Sequence, residues 1–94
     1  TGWHRLGQLM IRMGRWKEAD EIYQELLKST LPSNFIELSL LNNQLGYIWG
    51  HLGKHEEALA FYREALDITE RNLPTDYLDR AKALNNMASV EASR

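Results

Sequence analysis

Residues that could do catalytic or metal-binding chemistry are present, but their spacing argues against both uses. His51 and His55 are four residues apart, a spacing that binds zinc when both imidazoles lie on one helical turn. Gly53 lies between them, where it is expected to end a helix, and no third ligand is evident in the sequence. We therefore expect no metal ion and no other cofactor.

The acidic residues are also poorly placed for catalysis. Two pairs of adjacent carboxylates occur, Asp20–Glu21 and Glu56–Glu57. Neighbouring side chains diverge on a helix, whereas general acid–base chemistry needs carboxylates that converge in a cleft. No serine or threonine lies in a nucleophile motif, and no glycine-rich phosphate loop is present. The sequence predicts a protein that is not an enzyme.

The composition is that of a globular protein, and it does not indicate binding to a highly charged partner. The 94 residues are 44% hydrophobic and 26% charged, and the net charge is −2. This charge predicts neither nucleic-acid nor anionic-membrane binding, and the longest uncharged stretch is too short and polar to span a bilayer. The absence of cysteine fits a reducing compartment, so we expect a cytoplasmic location. Because the chain begins at Thr1 instead of methionine, we expect it to be a segment of a longer protein.

Two parts of the chain repeat each other. The matched pairs, each 39 residues apart, are Leu6 and Leu45, Gly7 and Gly46, Gly14 and Gly53, Ala19 and Ala58, and Tyr23 and Tyr62. A second register relates the segment at Pro32 to the one at Pro74, an interval of 42 residues. Repeats of this length are typical of arrays in which each unit buries its apolar face against its neighbours.

The spacing inside each unit is helical. Leu45, Trp49 and Leu52 stand at i, i+4 and i+7, which is one stripe of a helix. Glycines follow the first helix of each unit, and the proline segments stop the second. The pattern predicts an all-α fold of five helices, at about 3–13, 16–29, 34–52, 55–72 and 77–92. Residues 1–33 form the first repeat, 34–75 the second, and 76–94 the first helix of a third.

These residues resemble the tetratricopeptide-repeat (TPR) signature. Trp3, Leu6-Gly7, Ala19 and Tyr23 occupy its places in the first unit, and Met87-Ala88 begin the third. The intervals exceed the usual ~34 residues and are similar to the long-repeat branch typified by kinesin light chains. The resemblance implies a right-handed superhelical array of antiparallel helix pairs. In such arrays the first (A) helices line a concave groove, and the second (B) helices form the outer surface.

The resemblance also implies a site that binds a peptide segment of another protein. Asparagine amides supply donors and an acceptor for the backbone of an extended peptide. The positions that the family pattern places in the groove are His4, Arg5, Gln8, Arg12, Asn43, Gln44, Tyr47, His51, Lys82, Asn85, Asn86 and Ser89. The asparagine pairs differ by one residue in register, so Asn42 facing the neighbouring helix is an alternative. Solvated surface is the alternative for the whole set.

The charges separate when they are sorted by helix type. The A helices carry a net charge of +3, the B helices a net charge of −4. A basic groove favours an acidic or carboxylate-ended peptide. Two other functions are left open: a regulatory or substrate-recruiting domain attached to an enzyme, and a structural array that associates with itself through its open end. The aromatic residues Trp3, Trp16, Tyr23, Trp49, Phe61 and Tyr62 are expected in the core.

Overall fold

The computed structural model describes residues 2–72 and contains four α-helices in that range. They are α1 (Gly2–Arg12), α2 (Trp16–Ser29), α3 (Phe35–His51) and α4 (His55–Asn72). No strand occurs among the described residues. The first four predicted helices are therefore confirmed to within two residues at each end. The fifth, predicted at 77–92, lies outside the described residues.

The two turns that end α1 and α3 have the same construction. Gly14 and Gly53 adopt positive φ angles of 72° and 80°, a conformation that side chains disfavour. The amide of Arg15 donates to the carbonyl of Met10, and the amide of Lys54 donates to that of Trp49. This is the hydrogen-bond pattern of a glycine-ended helix, and it confirms the sequence prediction for both glycines.

Side-chain hydrogen bonds mark the end of α2 and the start of α3. The Thr30 hydroxyl donates to the Leu26 carbonyl at 2.7 Å as α2 ends, and Pro32 follows in the loop. The Asn34 side chain then accepts a hydrogen bond from the amide of Glu37, which caps the first turn of α3.

The paired helices approach closely where each unit has a glycine. A β-carbon added at Gly7 would stand 2.8 Å from the ring of Tyr23, and one at Gly46 would stand 2.6 Å from the ring of Tyr62. Both tyrosines are only 2% exposed. The Leu-Gly and Tyr positions of the repeat are therefore two halves of one contact, in which the missing side chain makes room for the ring.

Helix α3 lies at the centre of the described structure and packs against both α2 and α4. Its Leu41, Leu45 and Ile48 join Ala19 and Tyr23 of α2 in the main apolar cluster. On the α4 side, the hydroxyls of Ser39 and Thr69 are hydrogen-bonded at 2.9 Å in the interior. A side-chain bond also ties α2 to α3, since the indole of Trp49 donates to Asp20 at 2.8 Å.

The prediction that all of the aromatic residues lie in the core is wrong for Trp3. Its side chain is 63% exposed. Trp3 lies at the edge of a cleft that it shares with Ile22 and Leu26 of α2, and its ring is only partly covered there. Tyr23 and Tyr62 are buried as expected, and Trp16, Trp49 and Phe61 are partly buried against the main cluster.

Candidate functional site

Two contacts link the first repeat to α3. Near their starts, His4 Nε2 lies 3.0 Å from a carboxylate oxygen of Glu37. Near their ends, Trp16, which follows the α1 turn, stacks on His51 with ring centroids 4.2 Å apart. These two contacts tie α3 to the first repeat near both ends of α3.

The predicted groove positions form two matching rows. Arg5, Gln8 and Arg12 stand at i, i+3 and i+7 on α1, and all three are exposed. The equivalent positions on α3, 39 residues later, are Gln44, Tyr47 and His51, of which the last two are exposed. We call these two rows the α1–α3 face. Among these six predicted residues, Tyr47 and His51 are in direct contact. That the two rows share one surface, and that it binds a partner, stays a prediction.

The other two predicted residues in α1 and α3 are not on open surface. His4 is half-buried and engaged with Glu37, so it joins the two helices. Asn43 is 6% exposed, and neither atom of its amide has a hydrogen-bond partner. A partner could reach this amide only if the structure around it opened. Asn42 is also 6% exposed and donates to the carbonyl of Leu38 in its own helix.

Asn43 is buried because of its register on the helix. It is the repeat equivalent of His4, whose imidazole contacts Glu37 of α3. The 39-residue interval relates Asn43 to His4 in the sequence. Only the structure shows that the His4 position faces a neighbouring helix, through its contact with Glu37. The predicted residues Lys82, Asn85, Asn86 and Ser89 lie outside the described residues.

An aromatic cluster lies at one end of the α1–α3 face. The imidazole of His51 and the indole of Trp16 are nearly parallel, with an interplanar angle of 6°. The ring of Tyr47 meets His51 edge-on at 4.6 Å and Trp16 edge-on at 5.9 Å. Tyr47 remains 40% exposed. Such stacked and edge-on contacts hold the three rings in place, and leave part of the surface available to a ligand.

Sequence reasoning missed Trp16 as a member of this surface. It begins α2, a B helix, and its repeat equivalent is His55, so the repeat offered no aromatic match. The one sequence feature that could have indicated it is the position of Trp16 directly after the turn that ends α1.

The described residues give no sign of a metal centre or a membrane span. No group of three or more His, Cys, Asp or Glu side chains within residues 2–72 could hold a metal ion. In the same range no helix is both long enough and apolar enough to cross a bilayer.

Two antiparallel helix pairs with matched glycine turns and matched Gly–Tyr contacts define a helical-repeat array. Comparison with family models gives the same answer. A tetratricopeptide-repeat model matches residues 37–94, and a second tetratricopeptide-repeat model matches residues 3–34. The chain belongs to the tetratricopeptide-repeat family, whose members generally mediate protein–protein interaction. Among curated proteins no match is found.

Proposed function

We propose that this chain is a protein-interaction module that binds an extended segment of a partner along the α1–α3 face. The observation that supports it is the aromatic cluster of Trp16, Tyr47 and His51, whose last two members are the repeat equivalents of the exposed Gln8 and Arg12. Tyr, Trp and Arg are the residues that most often dominate the binding energy of protein interfaces.

The cluster favours binding because its rings are already ordered. Each ring contacts the other two, so Tyr47 loses little side-chain freedom when a partner covers it. An apolar or aromatic side chain of a peptide would pack on the exposed edge of Tyr47. The glutamine amides of Gln8 and Gln44 would pair with the backbone on either side.

The charges of the face favour an acidic or carboxylate-ended peptide. Arg5 and Arg12 are exposed, and neither forms an ion pair with another described residue. Their guanidinium groups are suited to bidentate binding of a carboxylate. The peptide that fits best therefore carries an acidic group a few residues from an apolar anchor.

A peptide-library selection against the chain tests this function. The test variant combines Tyr47→Ala with Arg12→Glu, and the matched control is Lys17→Glu, the same charge reversal on an exposed site of α2. We expect the parent and the control to select acidic peptides with an apolar residue, and the test variant to lose them. Circular dichroism checks that all three proteins are equally helical.

Retention of the same peptides by the Tyr47→Ala/Arg12→Glu variant would place the binding site elsewhere and would refute the proposal. The functions as an enzyme-attached recruiting domain or as a self-associating array remain alternatives. No described contact favours either over peptide binding. A cytoplasmic location is part of the proposal, supported by the lack of cysteine.

A further inference from the structure

Helices α3 and α4 border a cleft of about 380 Å³ in the second repeat. Its lining includes two aromatic rings and two carboxylates, which belong to Trp49, Phe61, Glu57 and Glu64. We call it the α3–α4 cleft. Residues two apart on a helix do not face the same way, so Trp49 lies on a different side of α3 from Tyr47 and His51. The cleft is therefore distinct from the α1–α3 face.

The two aromatic rings of the cleft are held in place by contacts within the chain. The ring centroids of Trp49 and Phe61 are 5.9 Å apart. The indole N–H of Trp49 donates to a carboxylate oxygen of Asp20 at 2.8 Å, and Gln24 donates to the same oxygen at 3.2 Å. Both rings are half-buried, so part of each lines the cleft. Tryptophan is the best aromatic partner for a cation, and a ring that is already fixed loses little freedom on binding.

The two carboxylates flank the ring of Phe61 on α4. Glu57, Phe61 and Glu64 stand at i, i+4 and i+7, which is one stripe of a helix and about 10 Å long. Both glutamates are exposed, and neither forms an ion pair with another described residue. A cation that lies on the rings would therefore have a carboxylate on either side.

In the first repeat, the chain itself provides cations for the equivalent carboxylates. The equivalents of the two cleft glutamates, 39 residues earlier, are Glu18 and Glu25. Glu18 contacts Arg15 at 3.5 Å, and Glu25 contacts Lys28 at 3.4 Å. Both acidic positions of the first repeat are thus paired within α2 and the residue that precedes it.

The second repeat differs at the two cationic positions. The equivalent of Lys28 is Asp67, which is itself an acid and contacts Arg71 at 3.1 Å. The equivalent of Arg15 is Lys54, which forms no ion pair with another described residue. Within residues 2–72, neither position provides a cation to the α3–α4 cleft. Its two carboxylates therefore favour a cation from a partner.

We propose that the α3–α4 cleft binds an arginine side chain from a basic segment of a partner protein. The guanidinium plane would lie on the indole of Trp49, and Glu57 and Glu64 would accept hydrogen bonds from its N–H groups on either side. Arginine fits this arrangement better than lysine, because its planar, weakly hydrated head group stacks on an aromatic ring while it donates in the plane. This segment is opposite in charge to the acidic peptide proposed for the α1–α3 face.

NMR titration of the isotope-labelled chain tests this proposal. The probe is a capped pentapeptide with arginine at its centre and glycine elsewhere, and its control carries citrulline, which has nearly the same shape but no charge. We expect the arginine peptide to shift the indole N–H signal of Trp49 and to leave those of Trp3 and Trp16 in place. The citrulline peptide should bind about threefold more weakly or worse. Equal binding of the two peptides, or shifts at Trp3 or Trp16 instead, would refute the site.

Two matched variants test the role of the carboxylates. Glu57→Gln/Glu64→Gln should abolish the preference for arginine over citrulline. The control Glu18→Gln/Glu25→Gln removes the same two charges at the equivalent positions of α2, and it should bind the arginine peptide as the parent does. All four sites are exposed and glutamine is a good helix former, so both variants should fold. Equal weakening by both variants would mean that net charge alone attracts the peptide, and would refute the cleft.

Sedimentation velocity at two protein concentrations separates a partner protein from a second copy of this chain. We expect no self-association that depends on the cleft. Self-association that Glu57→Gln/Glu64→Gln abolishes would make the arginine one of the chain's own, and would overturn the proposal of a separate partner. The Tyr47→Ala/Arg12→Glu variant should still bind the arginine peptide, so this proposal and the function proposed for the α1–α3 face fail independently.

Discussion

At the scale of single residues, the amide of Asn43 is a polar group without a partner. Both amide atoms are buried and make no hydrogen bond, a state that costs about 1–3 kcal/mol. Its neighbour Asn42 is equally buried but donates to the Leu38 carbonyl at 2.8 Å. Two adjacent asparagines of equal exposure therefore differ in whether their hydrogen-bonding groups are satisfied.

We expect Asn43→Leu to raise the free energy of unfolding by up to about 1–3 kcal/mol, because it removes an unsatisfied amide and keeps a γ-branched shape. Asn42→Leu is the matched control and should give no such gain, since a hydrogen bond is lost with the amide. Urea unfolding measures both. Destabilisation by Asn43→Leu equal to that by Asn42→Leu would mean that the Asn43 amide has a stabilising partner after all.

The phenol of Tyr62 makes stability depend on pH in the alkaline range. Burial raises its pKa to about 12, and the nearby Tyr47 adds to the rise. Burial likewise raises the pKa of Tyr23, with Glu37 as the second cause. The unfolded chain releases these protons near pH 10. The folded state therefore has its full stability below pH 10 and loses it as the pH rises through the folded pKa.

Tyr62→Phe tests this account, because phenylalanine fills the same space and has no proton to lose. We expect the parent to lose more stability than the variant between pH 8 and pH 11, measured by urea unfolding at both values. Identical losses would show that ionisation of Tyr62 is not what destabilises the chain at high pH.

At the scale of helices, the glycine on each A helix sets how close its B helix can come. Gly46→Ala would place a β-carbon 2.6 Å from the Tyr62 ring. The ring would then have to move away from α3. Overpacking of this kind costs about 1–3 kcal/mol. It opposes the gain of about 1 kcal/mol that alanine normally brings to a helix interior.

We expect Gly46→Ala to lower the melting temperature by several degrees, and Gly7→Ala to act in the same direction through Tyr23. Gly2→Ala is the control, since nothing lies within 4 Å of a β-carbon added there. Thermal unfolding followed by circular dichroism measures all three. A rise in melting temperature for Gly46→Ala would mean that the ring moves aside without cost.

At the scale of the whole molecule, burial is distributed unevenly along the array. α1 has one buried residue, Gly7, whereas α3 is buried on several sides by α2 and α4. Local opening is easiest where the fewest apolar contacts must be broken. The described structure is therefore expected to open from its α1 side.

Native-state hydrogen exchange should give the lowest protection in α1 and the highest in α3. Uniform protection across the four helices would instead show that the described residues open only as one cooperative unit.

The sequence alone was sufficient for the helices, their turns and the family, because these depend on local patterns. Apolar spacing, glycine at positive φ and proline after α2 act within a few residues, so the bounds of four helices and both glycine turns were predicted. Gly46 and Tyr62 are 16 residues apart, as are Gly7 and Tyr23, so both positions were visible as a repeat. The kinesin light chain-like branch and the repeat bounds stay predictions.

Packing between helices decided the rest. Helical spacing places Gln44, Tyr47 and His51 in one row on α3. It cannot predict that Trp16 stacks on His51 of this row, because Trp16 belongs to another helix. It marks Asn43 as polar but cannot say that its neighbours bury it. It gives Leu6 and Leu45 the same role, yet Leu6 is exposed and Leu45 is buried, because among the described helices one packs in front of Leu45 and none in front of Leu6.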